Sequence, residues 1–189
     1  MLHVPENSRP TFTIAASDPG THNLGLGVLH VDMLTYRIRS FEAYTIVATK
    51  LMHDDDMLVD THGHTFARTE AHKKELIRRL QLVRPSAFAC EDAYFNRGRP
   101  GAYGPLLMSI NAIRQAVLEY NRFMPFKLIE ASVVKNAVGA KGGSNKVSVL
   151  EAISKLDEFK VPTSTPLSGL SEHAIDGLAI AYARLKQMR

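Results

Sequence analysis

Asp18, Glu91, His173 and Asp176 are the residues of this chain whose types and settings could do chemistry. Asp18 ends an apolar run, Phe12-Thr13-Ile14-Ala15-Ala16, and is followed by Pro19-Gly20, where a strand must stop and turn. Glu91 ends a second short apolar run, Ala87-Phe88-Ala89-Cys90. His173 and Asp176 follow Ser171, a helix-capping residue type, and their i, i+3 spacing puts them on one helix face. Three carboxylates and an imidazole make an oxygen-rich donor set suited to Mg²⁺ or Mn²⁺. Two such ions can activate a water and stabilise a leaving oxygen in phosphodiester hydrolysis. Taken singly, each residue also has a plainer reading. An Asp before Pro-Gly forms turns, an early helix acid answers the helix dipole, and a histidine can be an ordinary core or surface residue.

The elements that must position these groups follow from the pattern of apolar residues. Phe12 to Ala16 reads as a buried strand, and Leu24 to Val31 as the second strand of a hairpin. Gly25 and Gly27 inside that second strand mark close approach of a ligand or another backbone. Leu34 to Tyr44 alternates apolar and polar residues, with Tyr36, Ile38 and Phe41, as a half-buried third strand does. Val47 to Thr65 is polar, carries Asp54, Asp55, Asp56 and Asp60, and reads as a long surface loop. His62 and His64 in it are too weakly spaced, with no cysteine nearby, to argue a zinc site. Thr65 to Val83 predicts an amphipathic helix, with Phe66, Leu76, Ile77, Leu80 and Val83 inward. Ala87 to Glu91 is a fourth strand, Leu106 to Tyr120 a helix apolar over much of its girth, and Phe126 to Glu130 a fifth strand. Ser132 caps a short helix to Val138, Gly139 to Gly143 is a basic loop, and Ser144 caps a helix to about Leu156. Ser171 caps the last helix, Glu172 to Lys186, whose Ala174, Gly177, Ala179 and Ala181 let it lie close to a sheet. Three strands, then strands alternating with helices, predict an α/β fold with a five-stranded mixed sheet flanked by helices. Residues 1–11 read as a flexible arm without the pattern of a secretory signal, and 12–189 as one domain.

The totals agree with such a domain. The 189 residues are 45% apolar, enough for a core without disulfides, and the single cysteine, Cys90, sits in an apolar run as a small buried hydrophobe. One cysteine fits a reducing, cytoplasmic setting. No apolar run is long enough to span a membrane. A net charge of +4 leans toward a polyanionic partner.

Order and context join these pieces. Asp18-Pro19-Gly20 in the first strand, Glu91 at the end of the fourth, and Ser171-Glu172-His173-Ala174-Ile175-Asp176-Gly177-Leu178-Ala179-Ile180-Ala181 in the last helix resemble the RuvC family of Holliday-junction resolvases. The resemblance covers about Phe12 to Leu185, and Lys135 to Lys146, two lysines separated by a glycine-rich loop, looks like the family's segment with two functional lysines. It implies a ribonuclease-H-like fold whose sheet is antiparallel for three strands and then parallel. It also implies a homodimer, here through the helix about 106–120, with each subunit cutting one of two symmetry-related strands at a four-way DNA junction. Asp18, Glu91 and Asp176 match the family's metal-binding acids, and His173 a position that is acidic in some members and histidine in others. Tyr94 falls where the family has an aromatic that stacks on a junction base. The acidic insertion near Asp54 is unlike the bacterial enzymes and is compatible with a phage or viral member acting in a bacterial cell.

The expected activity is then Mg²⁺- or Mn²⁺-dependent hydrolysis of DNA phosphodiesters, with two ions. Asp18 bridges the ions, Glu91 and Asp176 each complete one shell, and His173 is a ligand or orients water. Attack in line leaves a 5′-phosphate and a 3′-hydroxyl, as the resemblance implies. Lys135, Lys141 and Lys146 are candidates for gripping phosphates near the scissile bond, and Arg97 and Arg99 for holding junction arms. Three other readings stay open: a nuclease of this fold acting on other branched DNA or on RNA and hybrids, a non-catalytic junction-binding module, and an actin-like ATPase. The last needs two such halves, for which the chain is too short.

Overall fold

β1 (Thr11–Asp18), β2 (Asn23–Asp32) and β3 (Ile38–Val47) form an antiparallel meander, and β4 (Ala87–Glu91) and β5 (Phe126–Ile129) add in parallel beyond β1. The sheet order is β3-β2-β1-β4-β5. These elements belong to a computed structural model that describes residues 10–52, 57–95, 97–140, 146–163 and 165–189, the side chains of residues 146–148 excepted. The helices are α1 (Met57–His62), α2 (His64–Val83), α3 (Tyr103–Tyr120), α4 (Ala131–Val138), α5 (Lys146–Ser154) and α6 (Glu172–Met188). The mixed five-stranded sheet and its flanking helices agree with the fold class read from the sequence.

Alternation along the strands sends side chains into two cores. Ala15, Leu26, Phe88 and Cys90 meet Leu76 and Leu80 of α2 and Ile113 and Val117 of α3. Ile14, Ala16, Leu29 and Ala89 meet α4, α5 and α6 through Val134, Ile153 and Leu178. The sheet is therefore covered on both faces, which is why the buried middle of β1, Ile14 to Ala16, and all of β4 before Glu91 are apolar.

The closest packing is between β2 and α6. A β-carbon on Gly25 would collide with the His173 carbonyl oxygen, and one on Gly27 with the Gly177 backbone. A β-carbon on Gly177 would stand 2.7 Å from the Gly27 nitrogen. Glycine is required at all three because backbone meets backbone there. Gly20 is constrained in the same way. Its φ is not in the left-handed region, and a β-carbon would collide with the Asn23 carbonyl oxygen.

Several elements differ from the sequence expectations. Tyr36 lies in the β2–β3 turn, with φ 55°, rather than in the third strand. Asp32 builds that turn: its buried carboxylate accepts the Leu34 and Thr35 amides at 2.9 and 2.8 Å and an Arg39 guanidinium N–H. Burial opposes its ionisation, but the Thr35 amide, Arg39 and the Leu34 amide outweigh that and hold it well below the usual carboxylate range. The expected surface loop at Val47–Thr65 is largely helical, with a 3₁₀ turn at Ala48–Lys50 and α1 leading through Gly63 into α2. α1 buries none of its side chains, so its composition resembles a loop's. In α2 only Leu76 and Leu80 of the expected inward set are fully buried, while Ala67, Thr69 and His72 also face inward. α4 starts at Ala131 with Glu130, not Ser132, at its cap, and ends in left-handed Gly139. Residues 1–9, Asp54 to Asp56, Lys141 and Ser144 lie outside the described residues; β1 itself begins at Thr11 and Pro10 accepts the Met33 amide. Among the described residues no helix is long and apolar enough to cross a membrane.

Gly177→Ala is expected to lower stability by about 1–3 kcal/mol, because the added methyl meets backbone that cannot rotate away. Urea unfolding of the purified protein measures this, and an unchanged midpoint would show that α6 does not rest directly on β2.

Candidate active site

Parallel pairing of β1 and β4 brings two acids to the same end of the sheet. Ser17 is in register with Cys90, so Asp18 and Glu91 are the next residues on adjacent strands, whose spacing is about 5 Å. Ala16 and Ala89 point into the α4–α6 core and Cys90 into the other, so alternation turns Asp18 and Glu91 toward α4 and α6. The α6 N-terminus arrives above them. Ser171 caps it, its Oγ accepting the Ala174 amide at 3.3 Å, and the Ser171 hydroxyl also bonds the hydroxyl of Thr45 on β3. His173 in the first turn places Nδ1 2.9 Å from Asp18 Oδ2, joining residues 155 positions apart. Both side chains keep about a fifth of their surface, 24% and 18%.

Electrostatics ties in the remaining groups. The Glu91 pKa is pushed up to about 7, first by burial and then by the charges of Asp18 and Asp176, with Lys135 of α4 acting in the opposite direction. All three acids and one lysine therefore share a single charged neighbourhood. Burial, then the charges of Asp18, Glu91 and Asp92, drives the Cys90 thiol well up, so it is an inert core residue as expected.

Among the described residues no three His, Cys, Asp or Glu side chains are gathered closely enough to form a ready-made metal cage. Like charges hold one another apart without a counter-ion, and Asp18 Oδ2 is engaged by His173. The donor set nevertheless fits a hard divalent cation. It is rich in carboxylate oxygens, and the Glu91 pKa, raised first by burial, is raised further by the charges of Asp18 and Asp176, which a cation would offset.

The other expected residues are distributed as follows. Lys135 reaches the acids' field from α4. Tyr94 is 61% exposed on the segment leaving β4, beside Phe95 at 59%, whose ring meets Tyr103 edge-on at 5.7 Å. Arg97 and Arg99 are exposed on the same segment. Lys141 lies outside the described residues, as does the Lys146 side chain. Sequence reasoning missed Thr45, whose hydroxyl pins the start of α6 to β3, and a histidine–arginine pair beside the Asp18 turn, His22 with Arg68. Neither carries a sequence signal, since each contact joins segments far apart in the chain.

A carboxyl with a raised folded-state pKa keeps its proton to higher pH when folded than when unfolded. Glu91 therefore costs stability progressively as pH rises from about 4.5 to about 7. In metal-free buffer, Glu91→Gln is expected to be more stable than the parent at pH 8, by on the order of 3 kcal/mol at most, with the difference fading toward pH 4.5. Thermal melts across that range in a chelator test it; a pH-independent difference would contradict the charge coupling.

No family model matches the sequence, and no curated protein matches it. Solved structures do. The Thermus thermophilus RuvC structure is 22% identical, covers 94% of this chain and 96% of its own, and has a TM-score of 0.67. T. thermophilus RuvC in complex with Holliday junction substrate is 20% identical at the same coverage, with a TM-score of 0.66. The fowlpox virus Holliday junction resolvase is 10% identical, covers 93% of this chain and 99% of its own, and has a TM-score of 0.59. Over nearly its whole length, then, this chain has the ribonuclease-H-like fold of RuvC and other Holliday junction resolvases.

Proposed function

We propose that this protein is a metal-dependent, structure-selective DNA endonuclease that resolves four-way junctions by paired phosphodiester hydrolysis. The observation that carries the reading is the meeting of Asp18, Glu91 and Asp176, from three separate segments, in one charged neighbourhood with His173 and Lys135. A similarly folded RuvC has been solved with a Holliday junction substrate, which supports DNA junctions as the substrate class.

Asp18, Glu91 and Asp176 would hold Mg²⁺ or Mn²⁺, two per site, with His173 as a further ligand or a water-orienting group. When bound, such ions would activate a water and offset the negative charge that develops on the leaving oxygen. The chain's own residues prepare the setting. Asp18 stands on the most enclosed strand, between β2 and β4, and His173 fixes its carboxylate through the 2.9 Å contact. Glu91, with a pKa near 7, can take up or release a proton at neutral pH while the site is empty of cation. Lys135 offers a cation to the backbone phosphate that approaches the acids. Lys141 and Lys146 extend that contact, and Tyr94, Arg97 and Arg99 engage bases and arms at the crossover. Residues 12–189 act as one nuclease domain.

Two cuts need two sites, and a homodimer supplies them. α3 buries Ile110, Ile113, Ala116 and Val117 against the sheet and α2, yet keeps Leu107, Met108 and Leu118 on its outer side, and that side is the proposed interface.

Asp18→Asn is expected to abolish cutting in Mg²⁺ and Mn²⁺ while keeping or improving junction binding, because it removes a negative charge facing phosphate. Cleavage and gel-shift assays with four-way junction, duplex, flap and hybrid substrates measure both, and full cleavage by the variant would defeat the assignment. Sedimentation at micromolar concentration is expected to give a dimer that Leu118→Glu splits into monomers; a monomeric parent protein would remove the proposed interface.

A further inference from the structure

Beside the Asp18 turn, on the face of the sheet away from α4 and α6, α2 presents a cation that the acidic site does not account for. Arg68 Nη1 lies 2.8 Å from His22 Nε2. A guanidinium has donors only, so Nε2 accepts and the ring proton sits on Nδ1. Among the described residues no carboxylate pairs with Arg68. The pair thus carries a positive charge that no carboxylate among the described residues neutralises; His22 is exposed and Arg68 half-buried, its Nε buried without a hydrogen-bond partner and its guanidinium left with spare N–H donors.

The turn that presents His22 is held from several sides. The His22 carbonyl accepts the Ala48 amide at 2.9 Å, and Gly20 is pressed against Asn23. His72, one helical turn after Arg68, lies under the same turn and is 2% exposed. Its ring nitrogens make no well-formed hydrogen bond, and burial, only partly offset by the Ile46, His22 and Gly20 carbonyls, depresses its pKa to about 4. The imidazole beneath is therefore uncharged, and the positive charge at this place belongs to Arg68. His22 is four residues from Asp18, so the Cα atoms of the two residues lie at most about 14 Å apart, and closer because the chain turns.

We infer that Arg68 and His22 form a phosphate-binding pair that grips the nucleic-acid backbone next to the phosphate at the acids, from the side opposite Lys135. The planar guanidinium fork matches phosphate geometry, and the imidazole N–H adds a second donor. Cations on both sides of three carboxylates offset the repulsion that the acids exert on a polyanion. The inference rests on the nuclease reading, and its test separates the two.

The experiment measures binding of the full-length protein to a labelled four-way DNA junction in chelator, where nothing is cut, over a range of salt concentrations. Arg68→Ala is expected to weaken binding about tenfold and to reduce the slope of log affinity against log salt by about 0.9. His22→Ala, at an exposed side chain, is expected to weaken binding less and serves if Arg68→Ala fails to fold. Replacing single phosphates by methylphosphonates is expected to reveal one linkage near the crossover whose neutralisation weakens the parent protein but not Arg68→Ala. A parent protein that binds no branched DNA overturns the nuclease reading and this inference together. A parent that binds, with both variants unchanged in affinity, slope and linkage profile, overturns only the phosphate pair. Weaker binding by Arg68→Ala with an unchanged slope and the parent's linkage profile marks a structural effect and also overturns it.

Discussion

Backbone-to-backbone packing of α6 on β2 is the constraint from which the site follows. Gly25, Gly27 and Gly177 remove every side chain that would hold the two elements at an ordinary helix–sheet distance. The helix is thereby set down with its first turn over the end of β1, and its capping residue Ser171 is tied to Thr45 of β3. His173 and Asp176 reach the sheet-end acids because they lie in the first two turns of a helix seated this closely. A longer standoff would leave the Asp18–His173 contact unmade. The same glycines thus serve packing and chemistry together, and Gly25 stands opposite Asp18 in the strand register.

The second determinant is the parallel addition of β4 to β1. Parallel neighbours end at the same side of a sheet, so Asp18 and Glu91 become adjacent although 73 positions separate them. Two carboxylates placed so, with Asp176 above, cannot all ionise freely once one is buried, and Glu91 bears the consequence. Lys135 from α4 and Arg68 from α2 come from opposite faces of the sheet, and of the two Lys135 acts on Glu91, against the charges of Asp18 and Asp176.

Much of this was legible in the chain. Turn chemistry at Asp18-Pro19-Gly20, the apolar runs before Asp18 and Glu91, and the Ser171 cap with i, i+3 spacing of His173 and Asp176 are local features, and local features survive in a linear reading. Small residues in the last helix and glycines in the second strand announced close packing, though not that they would meet each other. Exposure misled in two places. α1 buries no side chain, so its residues look like loop, and Tyr36 has the composition of a strand but the backbone of a turn because Asp32 accepts the next amides.

What the sequence determined alone was the inventory and its local settings: which acids end strands, which residues cap helices, and which positions are too small to keep neighbours at a distance. These depend on residues a few positions apart, where periodicity and backbone preference act. Only the tertiary structure decided that Asp18 bonds His173, that burial and two neighbouring acids raise Glu91, and that Arg68 reaches His22. Each of those depends on strand order and on how closely a helix sits. They are set by long-range packing of β1, β2, β4, α2 and α6, which no short stretch of chain contains.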